Sequence, residues 1–197
     1  FLRAPKNAEP ATDQAWLAVG SEIFAKHRDN YIAELARIEE AYLFVAFGHY
    51  AQALARADEA EMHRPDAFAA CNIPDIALWQ GLAVAKLYSA SVDHPKRRAM
   101  LERIEMHLSR LRYSAEHCPA NFQHKVCLLE AERARVLGQH EVAAAKYDAA
   151  IDKARKEGFL QIEGLAAHFC AQFYLEQGRR RIAELYVREA HAAYTRW

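Results

Sequence analysis

Glycine, proline and threonine are scarce in this chain of 197 residues. It contains seven glycines, six prolines and only two threonines, whereas 40 residues are alanine. So little glycine and proline excludes a collagen-like or linker-like chain, and 52% hydrophobic with 26% charged residues is an ordinary globular composition. Alanine favours helix because it loses no side-chain entropy there. No segment alternates polar and apolar residues for long enough to predict a strand, so the sequence indicates an all-α protein.

A charge excess and long apolar runs are also missing. The 26 basic residues balance 26 acidic ones, which argues against a general nucleic-acid binder, because such proteins neutralise phosphates with a basic surplus. No stretch approaches the length of about 18 apolar residues that predicts a membrane span, and no signal peptide is visible. The four cysteines form no CxxC pair, which is typical of reduced thiols in a cytosolic protein. We therefore expect a cytoplasmic location and no membrane partner.

The helical pattern divides the chain into a short tail and one domain. Residues 1–11 are polar, contain two prolines and are predicted to be a tail or linker. Residues 12–197 are predicted to form a single helical-repeat domain, since apolar residues recur there at helical spacing between short breaks. The sequence predicts nine helices, at about 12–28, 31–47, 49–63, 74–91, 96–116, 122–137, 140–156, 160–177 and 180–196.

Three of the glycines mark an internal repeat. Gly48, Gly138 and Gly178 each lie between two helical segments, and alanine stands seven residues before, five residues after and twelve residues after each of them. Small residues let antiparallel helices pack closely where they cross, and glycine accepts the positive φ that often ends a helix. The pattern matches the tetratricopeptide repeat, a helix–turn–helix unit of about 34 residues. It predicts a tetratricopeptide-like superhelix of antiparallel helix pairs; an alanine-rich bundle without repeats is the alternative.

Several short motifs resemble one known family over about residues 74–197. They are Cys118-Pro119-Ala120-Asn121-Phe122-Gln123-His124-Lys125, Glu130-Ala131-Glu132, Tyr147-Asp148-Ala149-Ala150-Ile151 with Ala154 and Gly158-Phe159, Phe173-Tyr174-Leu175 with Gly178, and Tyr186 with Arg188-Glu189-Ala190 and Tyr194-Thr195-Arg196-Trp197. Together they resemble the helical-repeat region of large bacterial multidomain signalling proteins. Those proteins join a serine/threonine-kinase-like domain, an AAA/STAND-type ATPase, this region, a GAF domain and often a sensor histidine kinase.

This resemblance implies a regulatory module rather than an enzyme. The chain has no GxxxxGK[ST] phosphate loop and no kinase signature, so any catalytic domain would lie elsewhere in a parent protein. It also starts at Phe1 rather than Met, and we expect it to be a fragment of a longer chain.

Histidine and cysteine come close together once, at His117, Cys118, His124 and Cys127. Both residue types bind zinc, but this spacing matches no common zinc module and Cys127 falls where the repeat expects a core residue. Acidic pairs such as Glu39-Glu40 are most simply solvated faces. The sequence therefore predicts no catalytic, cofactor-binding or metal-binding residues in this chain.

Charge is unevenly distributed even though it sums to zero. Residues 31–62 carry six acids and two bases, and residues 95–117 carry six bases and three acids. Ion pairs between helices are the plain interpretation, and a basic patch for an acidic partner is the alternative. Arg179, Arg180 and Arg181 are the candidate basic patch, because three cations at a helix start oppose the helix dipole.

The first helix of each pair lines the inner groove of a tetratricopeptide fold. The repeat register places six polar or aromatic residues there, which are Tyr42, Lys125, Glu132, Arg135, His168 and Gln172. Such side chains suit an extended peptide, so the predicted function is a protein-interaction or signal-relay module that binds a protein, a peptide or neighbouring domains. The alternative is a repeat domain that senses a small molecule and regulates a STAND-type ATPase. A helical-repeat RNA binder is a further hypothesis, which the neutral charge disfavours.

Overall fold

The computed structural model describes residues 30–62 and 72–197 of the chain. Within these two ranges no residue is in a strand, so the all-α prediction is confirmed. The predicted tail at 1–11 and the predicted helix at 12–28 lie outside the described residues. The described helices are α1 (Asn30–Ala46), α2 (Tyr50–Met62), α3 (Ile73–Ala90), α4 (His94–His117), α5 (Pro119–Val136), α6 (His140–Glu157), α7 (Leu160–Glu176) and α8 (Arg180–Arg196). None of them combines the length and the apolarity needed to cross a lipid bilayer.

In three helix pairs, the first helix ends at a glycine, as the sequence predicts. Gly48, Gly138 and Gly178 have φ values of 81°, 72° and 73°. In each turn the residue after the glycine donates its backbone N–H to the carbonyl five residues earlier, at 2.8 to 2.9 Å. This bond satisfies a carbonyl that the last helical turn leaves open. The three glycines therefore mark equivalent turns, as the repeat predicts.

The predicted break over Cys118–Asn121 is longer than the real one. Helix α5 begins at Pro119, and Cys118 alone separates it from α4. A proline fits in the first helical turn because the N–H that it lacks would have no partner inside the helix. Helix α4 begins similarly with Pro95 in its first turn, after Asp93, whose carboxylate accepts a hydrogen bond from the backbone N–H of Lys96 at 3.4 Å.

The repeated alanines lie in the interior of the molecule. All nine are at most 7% exposed, namely Ala41, Ala53, Ala60, Ala131, Ala143, Ala150, Ala171, Ala183 and Ala190. The helices of each pair can approach closely because these side chains are small. Gly81 and Gly164 also mark close approaches, since a Cβ at these positions would lie 2.6 Å from Leu129 and 2.8 Å from Tyr194 respectively.

Each helix packs against the next one along the chain, and the first helices of successive pairs also touch. Contacts between α3 and α5 advance in the same direction along both helices, from Asp75 and Lys125 to Ser89 and Arg135. The first helices therefore run parallel, side by side. One edge of the stack, which we call the turn edge, carries the carboxyl ends of α1, α3, α5 and α7 and the amino ends of the second helices. A single hydrophobic core extends from α1 to α8.

Candidate functional site

Four of the six predicted groove residues come together near the turn edge. Glu132 and Arg135 lie in the last turns of α5, and His168 and Gln172 lie on the neighbouring face of α7. Lys86 of α3 completes this cluster, which we call the polar network. Three parallel helices thus contribute to one group of buried and half-buried polar side chains.

The carboxylate of Glu132 is at the centre of the polar network. Its side chain is 0% exposed, and one oxygen lies 3.1 Å from Nζ of Lys86. The other oxygen accepts hydrogen bonds from Nε and Nη2 of Arg135 at 3.0 and 2.9 Å. The hydroxyl of Tyr147 in α6 also donates to Glu132. Burial raises the pKa of Glu132, but Lys86 and Arg135 outweigh burial and hold this pKa below its ordinary value.

Arg135 connects Glu132 to the end of α3. Its Nη1 donates to Oγ of Ser89 at 3.0 Å, and its Nη2 donates to the backbone carbonyl of Ala85 at 3.1 Å. Nη1 also lies 3.6 Å from a carboxylate oxygen of Glu176, the last residue of α7. The guanidinium group therefore contacts all three of the first helices in the network.

Lys86 provides the second link between the same helices. Its Nζ donates to Oε1 of Gln172 at 3.1 Å and lies 4.0 Å from the centre of the Phe169 ring. Burial lowers the pKa of Lys86 despite the opposing charge of Glu132. Burial and the nearby Lys86 also lower the pKa of His168, whose Nε2 lies 3.0 Å from Nε2 of Gln172. A neutral imidazole beside the ammonium group is the expected result.

A pocket at the turn edge is lined in part by side chains of the polar network. Its volume is about 400 Å³, and it is lined by Tyr50, Lys86, Ser89, Arg135, Gln172, Leu175 and Glu176. We call it the turn-edge pocket. It combines two cations, a carboxylate, an amide and two hydroxyls with the apolar surfaces of a tyrosine and a leucine.

The other two predicted groove residues lie elsewhere. The ring of Tyr42 packs against Trp79 and Trp197, with centroid distances of 5.3 and 5.7 Å. Lys125 donates a hydrogen bond to Asp75 near the amino end of α3. Tyr42 and Lys125 are 4% and 6% exposed, so both side chains make contacts within the chain. That any of the six residues contacts a partner stays a prediction.

The uneven charge forms ion pairs between helices in one region. Arg103 and Arg110 of α4 pair with Asp58 and Glu61 of α2, and the latter pair is 2.6 Å long. Gln80 of α3 donates to both carboxylates at 2.8 and 2.9 Å. The acidic and basic segments therefore form ion pairs between helices here, which is the plain interpretation of their charge.

The candidate basic patch lies at the turn edge. Arg179, Arg180 and Arg181 are exposed at the start of α8. None of them forms an ion pair with another residue in the described ranges. They come three to five residues after the pocket residue Glu176 along the chain.

The histidine and cysteine side chains of the segment 117–127 lie in different surroundings. His117 is exposed, with Nδ1 2.8 Å from the carbonyl oxygen of Tyr113. His124 is buried and packs 4.4 Å from the Phe159 ring, and Cys127 is buried beside Gln123. In ranges 30–62 and 72–197, no three His, Cys, Asp or Glu side chains are arranged to hold a metal ion.

The sequence did not identify five residues of the pocket as site residues, namely Tyr50, Lys86, Ser89, Leu175 and Glu176. One signal was present for Lys86, because it is the single basic residue in α3, a helix with eleven buried residues. A charged side chain in so apolar a helix needs a buried partner.

Comparisons of the chain with models of known protein families, with curated proteins and with solved structures found no match.

Proposed function

We propose that this chain is a non-catalytic, tetratricopeptide-like interaction and signal-relay module of a multidomain bacterial ATPase or kinase signalling protein. A segment of a partner protein or of a neighbouring domain would bind at the turn edge and place one side chain in the turn-edge pocket. The observation that carries this proposal is the position of the pocket directly above the polar network, which joins three successive helix pairs.

The network supports a relay because its bonds run between helix pairs. Lys86 connects α3 to α5 and α7, and Arg135 makes the same connections from α5. Stability in stacked repeats depends on the interfaces between neighbouring units. A bound segment that favours one arrangement of these side chains would therefore shift the packing of the stack, and attached domains would sense that shift.

The repeat pattern supports the tetratricopeptide-like fold. The family resemblance supports a multidomain bacterial signalling protein as the parent of this chain. The glycine turns recur at Gly48, Gly138 and Gly178 with the same backbone geometry. The resemblance covers about residues 74–197, which include α3, α5 and α7 of the polar network.

Binding of labelled positional-scanning pools of short peptides, measured by fluorescence anisotropy on the whole chain, tests the interaction role. Leu175 lines the pocket and is 52% exposed, whereas Leu185 of α8 does not line the pocket and is 57% exposed. We expect Leu175→Ser to weaken the best pool about fivefold or more, as loss of an apolar interface anchor does, and Leu185→Ser to leave binding unchanged. Binding by no pool, or equal weakening by both variants, contradicts the proposal.

Amide hydrogen exchange tests the relay. A bound peptide is expected to slow exchange at the carboxyl ends of α3, α5 and α7 together. Slowing in one helix alone would show that the network does not couple the pairs.

A further inference from the structure

The wall of the turn-edge pocket contains more positive than negative charge. Lys86 and Arg135 are two buried cations, and both contact the single buried carboxylate of Glu132. The three side chains are at most 6% exposed. Since His168 beside them is held neutral by burial and by Lys86, which lower its pKa, one positive charge has no buried counterion in this part of the fold.

Glu176 is the acid that partly balances this charge. Its carboxylate lies 3.6 Å from Nη1 of Arg135, which exceeds hydrogen-bond length, and its side chain is 56% exposed. An ion pair with such an exposed partner contributes little to stability. Glu176 is also the last residue of α7, and the ion pair that its side chain gives up on turning into solvent is this long one with Arg135.

We propose that the turn-edge pocket binds one oxyanion group, a carboxylate or a phosphate carried on a small apolar body, and that Glu176 occupies the position of this group when no ligand is bound. This inference rests on the proposed function, because it names the chemistry that the same pocket recognises. The ligand anion would replace Glu176 beside Arg135, and Glu176 would move into solvent.

The lining of the pocket supplies what such a ligand needs. The hydroxyl of Ser89 accepts from Arg135 and keeps its own hydrogen for an anion. Tyr50 and Leu175 provide apolar surface for the body of the ligand. A volume of about 400 Å³ is within the range of small-molecule pockets, which is about 300–1,000 Å³.

The helix dipoles at the turn edge do not decide the charge preference. The carboxyl ends of α3, α5 and α7 are partly negative, whereas the amino end of α2 at Tyr50 is partly positive. Three carboxyl ends outweigh one amino end, so the helix dipoles by themselves disfavour an anion. The preference for an anion therefore depends on Lys86 and Arg135.

Titration of the whole chain, followed by the methyl NMR signals of Leu175, tests the inference. Phenyl phosphate and benzoate are the anionic probes, and benzyl alcohol is the uncharged probe of similar shape. We expect saturable shifts with the two anions and binding of benzyl alcohol that is weaker by about tenfold or more, the equivalent of about 1.4 kcal/mol. Equal binding of the uncharged probe overturns the inference.

Two variants that leave the buried network intact sharpen the test. Glu176→Gln is expected to tighten both anions by about threefold or more, because it removes a competing carboxylate. Glu184→Gln in α8 makes the same change of net charge at an exposed position outside the pocket and is expected to have a smaller effect. Unchanged or weaker anion binding in Glu176→Gln contradicts the role of Glu176.

Peptide competition separates this inference from the proposed function. If acidic peptide pools displace phenyl phosphate, the oxyanion is borne by a partner segment; if no pool displaces it, the oxyanion is a free small molecule, and both results support oxyanion recognition. If neutral peptide pools bind at Leu175 while both anionic probes fail, this inference is wrong and the interaction role stands. If neither peptides nor anions bind, both are wrong.

Discussion

The carboxylate of Glu132 lies 3.1 Å from the ammonium group of Lys86, and this contact joins α5 to α3 in the interior of the protein. The two side chains are 0% and 6% exposed. Removing two charges from water is unfavourable, and only close contact with further hydrogen bonds compensates for it. Arg135, Tyr147 and Gln172 supply those bonds. The pair therefore fixes how two successive helix pairs meet beneath the turn-edge pocket.

Replacement of Glu132 by glutamine is predicted to destabilise the fold strongly. The variant keeps the shape of the side chain but leaves Lys86 and Arg135 without a buried countercharge. Removal of one partner from a buried ion pair costs about 3–5 kcal/mol. Urea unfolding at neutral pH, followed by circular dichroism, measures the change in the free energy of unfolding.

Lys86→Met provides the control for this prediction. Methionine has a similar length and no charge, so combining it with Glu132→Gln removes both members of the pair. The double variant should lose less free energy than the sum of the two single variants, because the ammonium group of Lys86 is then no longer buried without Glu132. Additive losses would contradict a direct interaction between the two side chains.

Local sequence patterns predicted most of the fold but only part of the site. Glycine turns and buried alanines depend on backbone geometry and close packing within one helix pair, so Gly48, Gly138 and Gly178 revealed the repeat. The pair formed by α3 and α4 has no central glycine. The repeat register therefore could not be extended to α3, and Lys86 was not assigned to the groove. Lys125 lies apart because it precedes Arg135 by ten residues in the same helix, about 15 Å along the helix axis. The packing of Tyr42 against Trp79 and Trp197 is a contact between helix pairs, which spacing within one helix does not contain.

Gly81→Ala is predicted to destabilise the protein through overpacking against Leu129. A Cβ at this position would lie 2.6 and 2.9 Å from the two terminal carbons of Leu129. Overpacking costs about 1–3 kcal/mol, and the higher helix propensity of alanine returns at most about 1 kcal/mol. Thermal unfolding of Gly81→Ala, with and without Leu129→Val, measures the coupling between these positions.

Gly138→Ala is the matched comparison for this steric effect. No atom lies within 4 Å of a Cβ built on Gly138, whose φ is 72°. The substitution Gly138→Ala costs about 1–2 kcal/mol only because alanine must adopt the left-handed backbone conformation. Leu129→Val should therefore relieve Gly81→Ala and leave the cost of Gly138→Ala unchanged; equal effects would rule out the steric explanation.

Stability is predicted to fall in mild acid because of His107. Burial first, and then Arg103 and Arg110 on the same helix, lower its pKa to about 4, although Glu61 of α2 opposes this shift. The pKa in the folded state is thus below the unfolded value of 6.5, so the unfolded state takes up the proton first. Stability is complete above pH 6.5 and falls as the pH drops towards 4, by up to about 3 kcal/mol.

His107→Gln tests the origin of this pH dependence. The variant should be less stable at neutral pH, and its free energy of unfolding should fall less steeply between pH 6.5 and 4.5 than that of the unmodified chain. His117→Gln alters an exposed histidine and should leave the slope unchanged. An unchanged slope in His107→Gln would assign the acid sensitivity to other groups, of which His124, with a pKa lowered by burial to about 3, is the next to examine.

Tyr42 and Trp197 are predicted to couple the first described helix to the end of α8. Their rings meet edge to face with centroids 5.7 Å apart, although Trp197 is 62% exposed. Such aromatic pairs contribute about 0.5–1.5 kcal/mol beyond their burial. A double-mutant cycle with Tyr42→Leu and Trp197→Leu, measured by urea unfolding, should return a coupling free energy in this range.

The exposed Tyr113 on α4 supplies the control, because the effects of Tyr113→Leu and Trp197→Leu on the free energy of unfolding should be additive. A coupling of zero between Tyr42 and Trp197 would show that the end of α8 lies beside α1 without stabilising it.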